Sequence, residues 1–521
     1  MVSVNGIATA LAKVGIIPAS TINAETLALF KWIEEQLQAR RSGYELFRNY
    51  FEGQHRVLLS DRLKAFLPQG LQESFQDNYC EVVINAVLNR LDVTGFTSNS
   101  EQLAGWAWEL WQAQRMDATQ GVVHVEALIT GDGYLLVDWD ADAMMPRFTP
   151  QLAEMIVPHY SETTRQMDFA SKKWLETGAI GDKPRTRLNL YYPERVEKYI
   201  AGNNVWIEHR EEGETVWPQP WVDGRGEPIG VPLVHFRNNA HTSNFGFSEL
   251  ANVIPLQDLL NKTLVDLLQI LDTMAFAQRW TLNVSHESST VDTVPGSWST
   301  FHAEEDGAEV GEWPAANVEG PLRALETFVQ QIASTSRTPQ HLFQLGSGGP
   351  PSGEALKTSE SGLVHKVRHK MVSLGNSWED AMMLAARVQG AFGEQVPGAD
   401  IARLETTWGD PETRNEEAFL TGLGVKHNQL GVPRQQIWRE MGYDADEIAQ
   451  MEADLQAEKA ADANLGGEIL KQFSQGQLPG GGGAIEETAI TRPRRTVRHQ
   501  FVERDLHTRQ IVHVRTEEES E

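Results

Sequence analysis

The segment from residue 354 to 390 constrains this chain more than any other. Leu356, Leu363, Val367, Met371, Leu374, Trp378 and Met382 recur three, four or seven apart, which is the period of an amphipathic helix. It is the longest uninterrupted pattern of its kind in the sequence. A small, exposed loop runs directly into it: Gly346, Ser347, Gly348, Gly349, Pro350, Pro351, Ser352 and Gly353. Ser352 is placed to cap the helix, and Glu354 falls in its first turn, where a negative charge suits the helix dipole. The loop has the glycines of a phosphate cradle without its chemistry. A P-loop needs Lys-Ser or Lys-Thr after its last glycine, and here Glu354 and Ala355 follow. A carboxylate at that point repels phosphate, so the loop is not a nucleoside triphosphate site.

A chain of 521 residues holds two or three domains with sizeable cores. Cys80, its single cysteine, excludes both an internal disulfide framework and a cysteine zinc cluster. No apolar run reaches the length of a membrane span, and residues 1 to 24 lack the pattern of a signal peptide. Val2 to Ala12 is expected to be a short amphipathic helix packed on the body. The net charge of -27 argues against gripping DNA by phosphate neutralisation, which needs a basic face. Such a charge is compatible with a surface past which DNA slides, and equally with simple solubility.

Taken in order, the first part of the chain is helical. Helices are expected over residues 24 to 53, 78 to 91, 104 to 116 and 120 to 130, followed by a strand at Tyr134 to Trp139. From Pro146 to Phe236 the pattern turns to short strands, clearest at Leu188 to Tyr192, Val196 to Ala201, Val205 to Glu208 and Val231 to Phe236. The fold class is α+β. Ser248 to Ala277 is a broadly apolar helix, and Pro255 is expected to kink it near its start. Strand and turn return over 278 to 315, and a helix covers Pro321 to Thr335. Beyond Gly390 come a strand (Ile401 to Trp408) and three helices at Pro411 to Gly422, Pro433 to Met441 and Ala445 to Ala463. Gly466 to Ala484 is a linker, and the tail is at most a β-hairpin.

Catalytic signatures are missing. There is no Gly-x-Ser-x-Gly, no His-Glu-x-x-His and no Gly-x-Gly-x-x-Gly after a strand. Asp138, Asp140 and Asp142 resemble a calcium loop, but its sixth and twelfth places hold Ala143 and Thr149 instead of glycine and glutamate. His365 and His369 have zinc-compatible spacing, yet Lys366, Arg368 and Lys370 beside them make a cation unwelcome. No metal and no cofactor is expected. Lys357, Lys366, Arg368 and Lys370 form the densest positive cluster of the main body, either a solvated helix face or one facing DNA.

The order of these stretches resembles the portal proteins of long-tailed bacteriophages. The resemblance rests on Tyr44 to Gly53, on Asn78 to Phe96, and on Val231-Pro232-Leu233-Val234-His235-Phe236. It continues in Gly246-Phe247-Ser248-Glu249-Leu250, in Leu256-Gln257-Asp258-Leu259-Leu260-Asn261-Lys262, and in Pro350 to Leu356. It implies a portal fold with a helical and β wing (1–246), a two-helix stem (247–277 and 319–337) and a small β clip (278–318). A tunnel loop and long tunnel helix (338–392), a return to the wing (393–410), a helical crown (411–465) and a linker and tail (466–521) complete it. It further implies a homo-oligomeric ring, typically a dodecamer, at one vertex of the virion head. Double-stranded DNA is packaged and ejected through such a ring.

In this scheme residues 346 to 353 face the DNA channel, and Glu304, Glu305 and Asp306 of the clip meet the terminase or the head-tail connector protein. The implied partners also include the major capsid protein and scaffold, with assembly in the host cytoplasm and no membrane. The portal itself is not an enzyme, since the terminase hydrolyses ATP. Two rivals stand beside this reading: a metal-dependent nuclease using Asp132, Asp138 and Asp140, and a monomeric adaptor of the virion.

Overall fold

The computed structural model describes residues 22–55, 77–177, 184–202, 205–211, 216–240, 242–275, 279–282, 309–312, 317–343, 353–399, 402–412, 416–443, 447–457, 496–504 and 511–520. The chain divides into two compact units, Met1–Asn415 and Glu416–Glu521.

The first unit is α+β. Helix α1 (Ala24–Phe51) starts where Asn23 accepts a hydrogen bond from the Thr26 amide at 2.7 Å, the usual device of an asparagine cap. Helices α2 (Tyr79–Leu88), α3 (Glu101–Ala113) and α4 (Met116–Thr130) follow, with strand β1 (Val93–Ser98) between the first two. Gly131, at φ +98°, ends α4 and turns the chain into β2 (Asp132–Asp140). Strand β3 (Met145–Gln151) returns along β2.

Next comes an antiparallel meander of β4 (Ile156–Tyr160), β5 (Met167–Glu176), β6 (Arg185–Tyr191), β7 (Arg195–Gly202) and β8 (Val205–Glu208), with the short β9 (Gln219–Pro220) also on β7. Phe30 and Ile33 of α1 pack on Val157, Leu188, Leu190 and Tyr199 of this sheet as a small separate core. Strand β10 (Leu233–Arg237) then pairs with β2, giving the sheet order β10-β2-β3.

Helix α5 (Ile254–Ala275) and helix α6 (Glu319–Ser336) lie against one another, and the short antiparallel pair β11 (Arg279–Leu282) and β12 (Glu309–Glu312) lies between them in sequence. Pro255 does not kink α5. The helix begins at Ile254, so the proline occupies its first turn, where a missing amide hydrogen costs nothing. Residues 249–253 form turns ahead of it.

Helix α7 (Gly353–Phe392) matches the long periodic segment and packs on β10, β2, β3 and on β13 (Leu404–Trp408), which pairs in turn with the distant β1. Leu363, Val367, Leu374, Trp378 and Met382 are all buried in the main core. Trp378 sits at its centre, with ring centroids 4.9 Å from Trp111 and 4.6 Å from Phe236. Its indole nitrogen donates to His124 Nε2 at 2.9 Å, and burial pushes the His124 imidazole down to about 3, so it stays a neutral acceptor.

The second unit contains α8 (Glu416–Leu430), α9 (Arg434–Met441), a helical stretch at 447–457 and the hairpin β14 (Thr496–Arg504) with β15 (Ile511–Ser520). A helix ending at Gly422 was the expectation; α8 instead runs through Gly422 and Gly424 and stops before Gly431, the glycine with positive φ. Helix termination follows the left-handed residue and not glycine as such.

Candidate DNA-channel helix and its buried joint

Of the loop expected to face a channel, Gly346, Ser347, Gly348, Gly349, Pro350, Pro351 and Ser352 lie outside the described residues, and Gly353 is the first residue of α7. Glu304, Glu305 and Asp306 also lie outside them.

The basic cluster on α7 divides in two. Lys357 is exposed, and Arg368 is half exposed in an ion pair with Glu412 at 2.6 Å. Lys366 and Lys370 turn the other way. Their side chains are 11% and 3% exposed, and both ammoniums close on the Glu249 carboxylate, Lys366 at 2.5 Å. Of the four cations expected on one helix surface, only Lys357 and Arg368 stand there, because Lys366 and Lys370 are buried against Glu249. Helical spacing explains the split: Lys366 and Lys370 are four apart and share a face, while Arg368 lies about 200° around the helix from Lys366.

Glu249 makes this joint work. It accepts from Asn239 at 2.6 Å and from Asn238 at 3.1 Å, and Lys370 also reaches Asn238 Oδ1 and, at 3.1 Å, Asn239 Oδ1. Lys366 donates to the Ser336 carbonyl at 2.9 Å, which belongs to the last residue of α6. Burial works against the Glu249 charge, but Lys370 and Lys366 outweigh it and hold the carboxyl down at about 2. Burial likewise pulls the Lys370 ammonium below its usual value while Glu249 pulls it back. Each charge persists because its partner does. One cluster thus ties α7, the end of α6, the end of the β10 strand and the segment leading into α5.

A second buried hub lies close by in sequence. Asp132 accepts from Tyr44 Oη at 2.8 Å, from the Gly246 amide at 2.8 Å and from His235 Nε2 at 2.8 Å. The Tyr160 hydroxyl meets the other ring nitrogen of His235 at 2.6 Å. Burial lowers the pKa of His235, and a neutral ring with its proton on Nε2 satisfies both contacts. This Tyr-Asp-His-Tyr set is closed on itself, with Asp132 and His235 side chains each 2% exposed, so it is a structural clasp.

Helix α5 is fastened by polar groups that its apolar periodicity hides. Gln257 exchanges hydrogen bonds with the Asp77 carbonyl (2.8 Å) and the Tyr79 amide (3.0 Å) at the start of α2. Asn261 accepts from the Asp77 amide at 3.0 Å and meets His55 Nε2 at 2.8 Å, and Tyr50 donates to Asp258. Gln257 and Asn261 are 0% and 1% exposed. The signal was present as polar residues four apart inside an apolar helix, a pattern that requires buried partners.

The carboxylates of the nuclease reading do not converge. Asp132 and Asp140 are the two ends of β2, about 26 Å apart for eight strand residues. Asp138 and Asp140 pair with Arg147 at 3.4 and 3.5 Å, and Asp140 caps a turn through the Asp142 and Ala143 amides. A two-metal nuclease site needs its carboxylates around ions about 4 Å apart.

The family described as phage portal protein, SPP1 Gp6-like, matches residues 31–461. The portal protein of Mycobacterium phage D29 is 25% identical over 452 residues, covering 80% of this chain and 85% of that one. The portal protein of Mycobacterium phage L5 is 23% identical over 463 residues, covering 83% and 87%. Among solved structures, a chain from the neck of an empty GTA particle computed with C6 symmetry aligns with a TM-score of 0.42 and 11% identity, covering 75% of this chain and 96% of that chain. With the family match spanning most of the sequence, this protein belongs to the phage portal protein family.

Proposed function

We propose that the chain assembles into a ring, a dodecamer, at one vertex of a phage head, and that double-stranded DNA enters and leaves through it. The family match over residues 31–461 is the observation that carries this reading. The pairing of α5 with α6, with β11 and β12 between them in sequence and α7 after them, supports it; in this reading α5 and α6 are the two-helix stem, β11 and β12 the base of the clip, and α7 the tunnel helix. Leu259, Leu271 and Leu322 remain 47%, 46% and 46% exposed on the paired stem helices, apolar surface that a neighbouring subunit would cover. The acidic balance suits sliding, since a surface repelling phosphate holds DNA at no fixed position.

In this scheme Glu304, Glu305 and Asp306 meet the terminase and later the head-tail connector, the wing meets the major capsid protein and scaffold, and the product is a virion component assembled in the host cytoplasm. The protein acts as a conduit, with no catalytic step of its own. Light scattering tests the ring directly. A mass many times that of one 58.2 kDa chain is expected, and a monomer under all conditions sinks the proposal. Shortening residues 346–353 is expected to leave rings intact while reducing DNA packaging or retention in assembled heads. Full heads at the unsubstituted level would remove the loop from the channel.

A further inference from the structure

Between β10, the β4–β5 turn and the middle of α7 lies a polar cavity of about 640 Å³. Arg165, Arg237 and Arg387 line it from three separate elements, together with Ser373 and Asn376 of α7. Asp380 is the sole carboxylate among its lining residues. Among the described residues, none of the three guanidiniums lies within ion-pair distance of a carboxylate. Arg387 donates to the Met383 carbonyl at 3.4 Å and feels the Asp380 charge from beyond ion-pair distance, and Arg237 lies 5.9 Å from the Tyr160 ring. Three other arginines of the first unit do hold carboxylates: Arg48 holds Glu126 and Glu154, Arg90 holds Glu360, Arg195 holds Glu194 and Glu197. Three guanidiniums lining one polar recess against a single carboxylate, Asp380, leave an excess of positive charge there, in a chain of net charge -27, that can take a further carboxylate.

We infer that this recess is a carboxylate socket, occupied in the assembled ring by an acidic segment of the neighbouring copy of this chain. The inference rests on the ring reading above. A ring places an identical chain with 72 acidic residues beside every socket, at a local concentration no free partner reaches. Arg165 is exposed in the tight turn joining β4 and β5, where it adopts φ 56°, and can swing toward an incoming segment. Arg237 and Arg387 are supported from β10 and α7, so the socket is partly preorganised before the neighbour arrives.

The test is ring stability of the full chain, followed by light scattering between about 0.1 and 1 M salt, over which the screening length falls from ~10 to ~3 Å. The triple variant Arg165→Ala, Arg237→Ala, Arg387→Ala is expected to form rings that dissociate at concentrations at least about tenfold higher than the parent, with the gap closing at high salt. Asp380→Asn, which removes the competing charge, is expected to tighten rings. Unfolding in urea by each variant as by the parent keeps these readouts clear of misfolding. Rings of the triple variant as tight and as salt-resistant as the parent's would overturn the inference alone. No rings from the parent at any salt would overturn the ring reading with it. If the triple variant keeps parental rings but loses binding of a hexaglutamate peptide, the socket serves a different acidic protein and the neighbouring copy is ruled out as its occupant.

Discussion

Replacing Glu249 with glutamine is expected to destabilise the first unit by roughly 3–5 kcal/mol, the range seen when one partner of a buried pair is removed. The mechanism is specific. Lys370 is 3% exposed and Lys366 11%, so neither ammonium can turn to water when the carboxylate goes. Two like charges would then share a dry pocket with only the amide oxygens of Asn238 and Asn239 and the Ser336 carbonyl to solvate them. The same carboxylate sets an acid limit. Its folded value of about 2 lies below the ordinary 4.5, so its contribution is fully present above pH 4.5 and is lost as pH falls toward 2. That shift corresponds to on the order of 3 kcal/mol. Urea unfolding followed by tryptophan fluorescence at neutral pH and near pH 3 reads both effects. A companion variant, Glu249→Leu with Lys366→Met and Lys370→Met, is expected to recover most of the neutral-pH loss, because apolar replacement of a whole buried ion cluster is often close to neutral. An unchanged midpoint for the single variant would mean that water reaches the joint and that the cluster does not hold α7 to the stem.

That cluster also shows where sequence reading stops. The period of Leu363, Val367, Leu374, Trp378 and Met382 was enough to place α7 and its buried face, because burial on one side of a helix must recur every three or four residues. The same period left Lys366 and Lys370 looking like a basic surface. What internalises them is Glu249, more than a hundred residues away, and charge pairing across that distance leaves no local trace. Pro255 misled for the opposite reason. Its effect depends on whether it falls inside a helix or at its first turn, and the boundary at Ile254 was set by turns at 249–253 that the apolar pattern overran. Strand β13 was legible as a strand, but its pairing with β1, three hundred residues earlier, was not. The nuclease reading failed on the same ground, since Asp132 and Asp140 are near in sequence and at opposite ends of one strand.

Among the described glycines, Gly246→Ala is expected to be the most damaging alanine substitution. A Cβ at Gly246 would stand 2.0 Å from the Gly131 carbonyl oxygen, 2.6 Å from the Asn238 oxygen and 2.8 Å from the Asn238 nitrogen, all backbone atoms. None can rotate away as a side chain could. Gly131 is fixed by its left-handed conformation at the end of α4, and its carbonyl already accepts from the Asn238 amide at 2.8 Å. The Gly246 amide is committed to Asp132, and Phe247, the next residue, donates to the Asn238 carbonyl at 2.7 Å. Relief therefore requires the strand end, the helix cap or the Asp132 hub to give way. Added volume in a well-packed site costs typically 1–3 kcal/mol, and a clash with backbone on three sides puts this change above ~3 kcal/mol. Because Gly246 and Glu249 lie on one short segment, the loosened stretch is the one that leads into α5, so ring assembly should fall together with stability. Gly105→Ala supplies the contrast: that glycine sits within α3 with no atom within 4 Å of the added carbon, and alanine there should stabilise by up to about 1 kcal/mol. Parental stability and parental rings in Gly246→Ala would show that the two chain segments do not cross as closely as the geometry requires.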